Sequence, residues 1–121
     1  MAYVIKPSDA RKLDLPGRRS LEIVSAATGT SSVTLRLVTI PVPAPGQPAR
    51  GFHSHDGFEE CIYVLSGQGA TQTETSEHPL SAGDTIVIPP GEMHFTQNTG
   101  REPLVLLCFF PVADITRKTR E

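Results

Sequence analysis

Three histidines and one glutamate, in two separate segments of the chain, are the residues best suited to chemistry. His53, His55 and Glu60 lie within one segment, and His94 lies in a second, later one. Side chains alternate between the faces of a strand, so His53 and His55 point the same way. Further strands that carry Glu60 and His94 would meet them inside a barrel. Three imidazoles and one carboxylate suit a divalent first-row metal, with one or two positions left for water or a ligand.

The two segments resemble the two motifs of the cupin superfamily. The first motif, G-x5-H-x-H-x(3,4)-E-x6-G, is matched from His53 to Gly67, with Glu60 in the acidic position. Its leading glycine is out of register, because Gly46 lies one position too early and Gln47 stands in its place. The second motif, G-x5-P-x-G-x2-H-x3-N, is matched at every fixed position, namely Gly83, Pro89, Gly91, His94 and Asn98. Two motifs together are far more specific than a lone glycine pattern.

The resemblance implies a fold, a metal and a kind of ligand, but not a particular reaction. The implied fold is all-β, an antiparallel double-sheet jelly-roll β-barrel. The implied cofactor is one divalent transition metal: iron, manganese, nickel, copper or zinc, between which this ligand set does not decide. The resemblance also implies a small-molecule ligand inside the barrel and assembly as a homodimer.

Charge and composition exclude several classes of partner. The net charge of −2 and the isoelectric point of 6.1 give no reason to expect binding to nucleic acid or to an anionic membrane. The sequence has no apolar run of transmembrane length and no signal-peptide stretch near its start. Its two cysteines are too few for a secreted disulfide framework. We therefore expect a cytoplasmic protein.

Length and composition also predict the domain organisation. A chain of 121 residues can enclose one core but not two. Its 11 prolines, 10 glycines and lack of a long helical pattern favour an all-β fold. We expect a single domain over residues 1–121, with an N-terminal arm at 1–20, the barrel at about 21–111 and a C-terminal tail at 112–121.

Short alternating or apolar runs, separated by turn residues, predict the strands. They are residues 3–5, 21–26, 33–40, 52–55, 59–67, 70–75, 85–88, 93–98 and 104–110. The proline-rich segment 41–50 cannot maintain a strand ladder and is expected to be a surface connection. Segment 76–84 is expected to hold two turns.

Two arginines and two uncharged polar residues are candidates for contacting a substrate. Arg50 creates the pattern R-x-x-H-x-H, which is similar to that of oxalate-degrading cupins, in which the arginine holds a substrate carboxylate. Strict alternation would turn Arg50 toward the surface unless a bulge intervenes, so both positions remain open. If the strand face that carries Arg36 lines the barrel, this arginine needs an anionic partner such as the substrate; otherwise it pairs with an acid at a subunit interface. Thr96 and Gln72, if they point inward, add polar lining near the metal.

Other polar residues near the motifs are assigned to packing, to turns or to the surface. Alternation aims Glu59 outward when Glu60 points inward. His78 lies in a turn and is expected to be exposed. Asn98 either fixes a turn or touches a ligand, and Cys108 is expected to pack as a small apolar residue. No residue stands out as a general base, so the catalytic residues remain unknown.

Three kinds of function are compatible with these residues. The first is a metal-dependent enzyme, possessing dioxygenase, decarboxylase, lyase or isomerase activity on a small carbonyl, diol or hydroxy/oxo-acid compound. The second is a binding or sensing module in which the metal holds a ligand without turnover. The third is a structural barrel with a vestigial site. The intact ligand set, with an open coordination position, favours the enzyme.

A homodimer would also protect the exposed edges of a small barrel. The apolar strand at residues 3–5 is expected to pair across a twofold axis. Two strand faces are candidates for the rest of the interface: that of Tyr63 and Leu65, and that of Leu104 and Leu106.

Overall fold

Antiparallel strands make up most of the chain in the computed structural model, which describes residues 1–30, 32–116 and 119–120, with only the backbone for residue 119. The strands are β1 (Arg11–Leu15), β2 (Arg18–Val24), β3 (Thr34–Ile40), β4 (Ser54–His55), β5 (Glu60–Ser66), β6 (Gln68–Thr73), β7 (Glu77–Ser81), β8 (Thr85–Ile88), β9 (His94–Asn98), β10 (Leu104–Phe110) and β11 (Thr119–Arg120). Among the described elements, the helical ones are two short 3-10 turns, Pro7–Asp9 and Ala26–Thr28. None of the described helical segments has the length and apolarity that crossing a bilayer requires.

Two sheets pack face to face around the core. The larger has six strands in the order β1-β2-β3-β10-β5-β8, and the smaller has three in the order β7-β6-β9. Strands β4 and β11 form a separate pair. Beyond β1, β2 and β3, the neighbours within the large sheet are distant in sequence, as β3 beside β10 illustrates, which is the crossing pattern of a jelly roll. The predicted all-β, antiparallel double-sheet jelly-roll fold is confirmed.

Strand alternation explains how the core forms. Along β10, Leu104 and Leu106 point inward and are 0% and 2% exposed, while Phe109 points outward. They pack with Val64 of β5 and Leu80 of β7 in one apolar cluster. Burial of such side chains is the main stabilising term for a domain of this size. The prediction that Leu104 and Leu106 could form a subunit interface is therefore wrong, because both lie in the core.

The predicted N-terminal arm contains part of the large sheet. Strands β1 and β2 form a hairpin in which Leu15 lies opposite Arg18, so the connection consists of Pro16 and Gly17 alone. Gly17 has a φ of 73°, a left-handed conformation that glycine adopts freely after a proline in a tight turn. The polar character of this stretch hid its alternation. The sheet thus begins at Arg11, and the boundary expected near residue 21 has to be corrected.

Two further segments differ from the prediction. Residues 3–5, predicted as a strand, pair with no other strand of this chain and form none. Segment 76–84 contains the edge strand β7, whose Pro79 is tolerated because an edge strand leaves one side without a ladder. Both errors have one cause, because the prediction relied on apolar runs. The apolar run at the terminus resembles a strand without being one, and the polar edge strand β7 lacks the apolar pattern of a strand.

The glycine that closes the first motif is required by close packing. Gly67 connects β5 to β6 with a φ of 88°. A Cβ atom built there would lie 2.6 Å from the carbonyl oxygen of Pro103 and 3.0 Å from the Cα atom of Leu104. Another residue would therefore push the β5–β6 turn away from β10 and disturb the strand that begins with Glu60.

Candidate metal centre

Backbone hydrogen bonds bring the two histidine segments together. His53 and His94 form an isolated bridge, in which each N–H donates to the carbonyl of the other, at N···O distances of 3.0 and 2.8 Å. The turn after β8 adds a second tie, because the Gly91 N–H donates to the His55 carbonyl at 2.8 Å. The residues before β4 are thus held on the start of β9, although the sequence distance between them is large.

The four predicted ligands converge on one point between the sheets. Glu60 opens β5 in the large sheet, and His94 opens β9 in the small sheet. Glu60 Oε1 lies 3.0 Å from His94 Nε2 and 3.4 Å from His55 Nε2. One donor atom from each of His53, His55, Glu60 and His94 lies within 4.8 Å of all the others, so the four side chains can hold a metal ion.

Packing fixes these side chains and selects the carboxylate. Glu60 and His55 are each 5% exposed and His94 is 1% exposed, whereas Glu59 is on the surface, as alternation predicted. The His55 ring stacks on Phe58 at a centroid distance of 5.5 Å and meets the edge of Phe110 at 5.1 Å. A ring held on both sides does not reorient when a ligand arrives.

Protonation within the site is determined by burial and by the carboxylate. Burial raises the pKa of Glu60, but the bonds with His55 and His94 outweigh it, so the pKa is lowered to about 2. Burial, together with the charge of His94, lowers the pKa of His53 to about 3. Burial lowers the pKa of His94 too, yet its bond to Glu60 prevails and the pKa is raised. At neutral pH, Glu60 is therefore ionised, and His53 is neutral and can offer a lone pair to a metal.

The hydrogen bonds of His94 test whether the site suits a metal. Its Nδ1 lies 2.8 Å from the carbonyl oxygen of Glu92, which can only accept, so Nδ1 carries a proton. A neutral ring then presents the lone pair of Nε2 to the Glu60 carboxylate at 3.0 Å. Two lone pairs at this distance repel each other unless a proton or a cation lies nearby. Three imidazoles and a carboxylate are a suitable donor set for a divalent transition metal, and the second nitrogen of His94 is fixed in the manner usual for a ligand.

A cavity of about 890 Å³ opens beside the four side chains. Its floor is apolar and includes Val38, Ile40 and Leu106, from the inner face of the large sheet. All four candidate ligands line it, so a molecule in the cavity would reach the metal directly. The volume lies in the range of pockets that take small organic molecules.

The candidate substrate residues divide into those that line this cavity and one that does not. Arg50 lines it, half-buried, and its stem packs over Gly17 with a closest approach of 3.8 Å to a Cβ built there. Arg50 itself lies in no strand. The strand alternation that predicted a surface position for it therefore does not apply. Burial lowers the pKa of Arg50. Nearby charges, including that of Glu60, raise it, but burial prevails. Thr96 also lines the cavity, with its hydroxyl 2.7 Å from that of Thr71.

Gln72 and Arg36 both form their hydrogen bonds within the chain. Gln72 lies outside the residues that line the cavity: Thr71 and Thr73 take the inward positions of β6, and the Gln72 amide donates to the carbonyls of Thr73 and Ser76. The expectation of an inward Gln72 is therefore wrong. Arg36 does lie on the lining face of β3, but its anionic partner is Glu22 of this chain, with both guanidinium contacts on Oε2, at 2.7 and 3.0 Å.

Three other residues behave as the sequence indicated. His78 is exposed and bonds with the hydroxyl of Ser76. Asn98 fixes a turn, because its amide donates to the carbonyls of Ile40 and Glu102. Cys108 is buried in the core, where burial and the nearby Glu60 carboxylate raise the pKa of its thiol well above the ordinary value. It stays protonated and is not a thiolate ligand.

Three residues that no sequence pattern singled out lie at the cavity wall or directly behind it: Arg11, Ser20 and Glu22. Arg11 and Ser20 line the cavity, and Glu22 is buried between Arg11 and Arg36. The signal was available: Pro16-Gly17 is a hairpin turn, and alternation from it places Ser20 and Glu22 on one face of β2.

The fold and the site together define a jelly-roll barrel with a candidate metal centre at one end of its cavity. The chain belongs to the cupin domain family, whose sequence model matches residues 42–110. That match includes both histidine segments and omits β1, β2 and β3.

Individual relatives match only part of the chain. The oxalate-binding protein of Thermotoga maritima is 37% identical over 57 residues, which are 47% of each chain. The glucose-6-phosphate isomerase of Thermococcus gammatolerans is 34% identical over 65 residues, which are 50% of this chain and 34% of that enzyme. The chain thus spans less than half the length of these curated relatives. The nucleoside dehydratase Pac13 of Streptomyces has a TM-score of 0.80 over 99% of this chain and 90% of its own, at 16% identity, which shows a shared fold.

Proposed function

We propose that this protein is a metal-dependent enzyme that binds a small oxygenated molecule, a carbonyl, diol or hydroxy/oxo-acid compound, at one divalent transition metal. The observation that carries the proposal is the convergence of four donor atoms within 4.8 Å of each other beside a cavity of about 890 Å³. The ligands would be His53, His55, Glu60 and His94. The metal would be iron, manganese, nickel, copper or zinc.

When bound, such a metal polarises an oxygen of the ligand and stabilises negative charge that develops on it. The chain supplies the positions. Glu92 keeps the Nδ1 proton on His94, so that Nε2 faces the site. Phe58 and Phe110 hold the His55 ring and exclude water from that side. Arg50 would then fix an acidic group of the substrate, since a planar guanidinium pairs bidentately with a carboxylate.

The reactions that suit this site need little proton transfer from the protein. Among the described residues that line the cavity, Glu60 is the only carboxylate, and we assign it to the metal. Decarboxylation and oxygen-dependent cleavage rely mainly on the metal to stabilise charge, whereas lyase and isomerase reactions also need a proton acceptor. The partial likeness to an oxalate-binding protein and to a sugar-phosphate isomerase supports an acidic, oxygen-rich substrate.

The second candidate function is a binding module without turnover. The observation that favours it is the same lack of a second carboxylate among the described lining residues. Both functions require the metal, so metal binding alone does not separate them. Turnover does.

A substrate panel with matched variants tests the proposal. Purified protein is loaded separately with each of the five metals and assayed for oxygen uptake, carbon dioxide release and isomerisation on diketones, diols and oxo acids. We expect turnover that His94→Ala abolishes and that His78→Ala, which removes an exposed histidine, leaves unchanged. Metal binding with ligand-induced thermal stabilisation but no turnover would favour the binding module. Equal turnover in the wild type and His94→Ala would contradict both.

We also propose that the chain acts as a single domain and as a homodimer in the cytoplasm. Support for a dimer comes from the outer face of the large sheet, where Tyr63, Leu65, Val87 and Phe109 are 43%, 44%, 51% and 38% exposed. Support for a reducing compartment comes from Cys61 and Cys108, which are free thiols.

A further inference from the structure

The cavity has a second polar end, away from the metal centre, where the charges are arginines. Four arginines line the cavity, Arg11, Arg18, Arg36 and Arg50, against one lining carboxylate, Glu60. The whole chain carries a net charge of −2, so this concentration of positive charge is local. Arg50 lies with the metal ligands, whereas Arg11 and Arg36 belong to β1 and β3.

Strand register fixes how far the second end lies from the first. Arg36 of β3 lies opposite Cys108 of β10, which lies opposite Ile62 of β5, two residues beyond Glu60. Two strand spacings across and two residues along place Arg36 about 12 Å from Glu60 between Cα atoms. Cys108 and Ile62, both buried and both lining the cavity, cover the floor between them.

The charges at this end do not cancel. Glu22 accepts from Arg11 at 2.7 Å through Oε1 and from Arg36 at 2.7 Å through Oε2. Two guanidinium groups on one carboxylate leave an excess of one positive charge. Glu22 engages two of the five N–H donors of Arg36, its Nε and one on its NH2 group. The Arg11 side chain is 53% exposed and can turn toward a ligand.

A buried hydroxyl at the same end is the independent observation. Ser20 lines the cavity between Arg18 and Glu22 on the inner face of β2 and is only 3% exposed. Its Oγ has no hydrogen-bond partner among the described residues. Its cross-strand neighbours, Leu13 and Val38, are apolar and offer no partner. A buried hydroxyl without a partner is destabilising, so its presence here calls for a group that it can bind.

We infer that this end of the cavity is an anion subsite, and that the molecule held by the metal is elongated and acidic at both ends. Oxygen donors at one end reach the metal, an apolar middle lies on the floor, and an anionic group at the other end binds Arg11, Arg36 and Ser20. This anionic group is a carboxylate or a phosphate. The inference rests on the proposed function, since it assigns the far end of a ligand whose near end is at the metal.

The test uses 2-oxo acids of increasing chain length on the metal-loaded full chain, measured by calorimetry. At each length the far end is a methyl group, a carboxylate or a phosphate. At the length that spans the cavity, we expect an anionic end to bind about tenfold tighter than a methyl end. The better of the two anions identifies the natural group.

Variants separate a ligand-binding role from a purely structural ion cluster. Arg11→Gln and Ser20→Ala should each reduce the advantage of the anionic end about fivefold and leave the affinity for methyl-ended acids unchanged. Arg19→Gln, which removes an exposed charge from the other face of β2, should change neither. Two results would overturn the subsite and leave the proposed function intact. One is an affinity that is the same for methyl-ended and anion-ended acids at every chain length. The other is an Arg11→Gln variant that weakens the binding of both kinds of acid equally. Failure of every 2-oxo acid to bind the loaded protein would overturn the subsite, and failure of the diketones and diols to bind as well would contradict the proposed function.

Discussion

Two buried glutamates on the same sheet face, Glu60 and Glu22, are compensated in different ways. Each is buried, at 5% and 3% exposure, and each contacts two basic side chains. The partners of Glu22 are two guanidinium groups, which carry a permanent charge. The partners of Glu60 are imidazoles, which carry a charge only when protonated.

This difference separates a glutamate whose charge is already balanced within the chain from one that needs a further ion. Glu22 is fully paired whatever the solution contains, and it ties β1 to β3 through β2. Glu60 is compensated only if a proton or a cation joins it, and Glu92 already holds the Nδ1 proton of His94. We therefore expect loss of Glu22 to affect the fold, and loss of Glu60 to affect the metal.

The largest effect should follow from breaking the Glu22 cluster. Glu22→Gln leaves Arg36 buried without its partner, which should lower the free energy of unfolding by about 3 kcal/mol. Urea denaturation monitored by circular dichroism measures this. The exposed Glu77→Gln is the control and should change stability little. If Glu22→Gln and Glu77→Gln were equally stable, the Glu22 cluster would not stabilise the fold.

Metal loading should have the next largest effect on stability. This effect should depend on the site that contains Glu60 and not on the Glu22 cluster. Free metal at a hundred times its Kd should stabilise the wild type by about 2.7 kcal/mol, because it binds the folded chain. Glu22→Gln should show the same gain above its lower baseline, and His78→Ala should match the wild type. Thermal denaturation with and without nickel measures the gain. His94→Ala should lose it, and a retained gain in this variant would place the metal elsewhere.

Acid should weaken the Glu22 cluster in a defined direction. Burial raises the pKa of Glu22, but bonds from Ser25, Arg36 and Arg11 together lower it below its ordinary value of 4.5. The ionised cluster therefore stabilises the fold fully above pH 4.5, and this contribution is lost as the pH falls through the lowered pKa. The stability gap between the wild type and Glu22→Gln should narrow over that range. A gap that stays constant from about pH 7 to about pH 3 would contradict the assignment.

The smallest effect on folding should come from the outer sheet face, which neither glutamate touches. Tyr63→Glu places a charge among exposed apolar side chains and should change monomer stability by no more than about 0.5 kcal/mol. If this face joins two copies, the charge should weaken the dimer. Light scattering across a dilution series measures this, with the exposed Thr75→Glu as control. A dimer that persists unchanged in Tyr63→Glu would exclude the face.

The metal end of the cavity was predictable from sequence because its information is local. The first motif fixes the spacing of His53, His55 and Glu60, the second motif includes His94, and alternation decides between Glu59 and Glu60. The same reasoning failed for Arg50, because the segment before His53 forms no strand and periodicity says nothing about it.

The arginine end was not predictable in the same way. Glu22 and Arg36 are neighbours only through the register of β2 on β3, and that register depends on a hairpin whose polar residues concealed it. The Pro16-Gly17 turn indicates the β1–β2 hairpin. No local pattern in the sequence predicts which strand pairs with the hairpin in the sheet. Pairing between distant strands is a property of the folded sheet.

The most direct test of the account is the metal content of Glu60→Gln against the wild type and Glu22→Gln. Each protein is equilibrated with manganese or nickel, desalted and measured by elemental analysis. The account predicts one ion per chain in the wild type and in folded Glu22→Gln, and less than about a tenth of that in Glu60→Gln. Equal metal content in all three proteins, or none in the wild type, would contradict it.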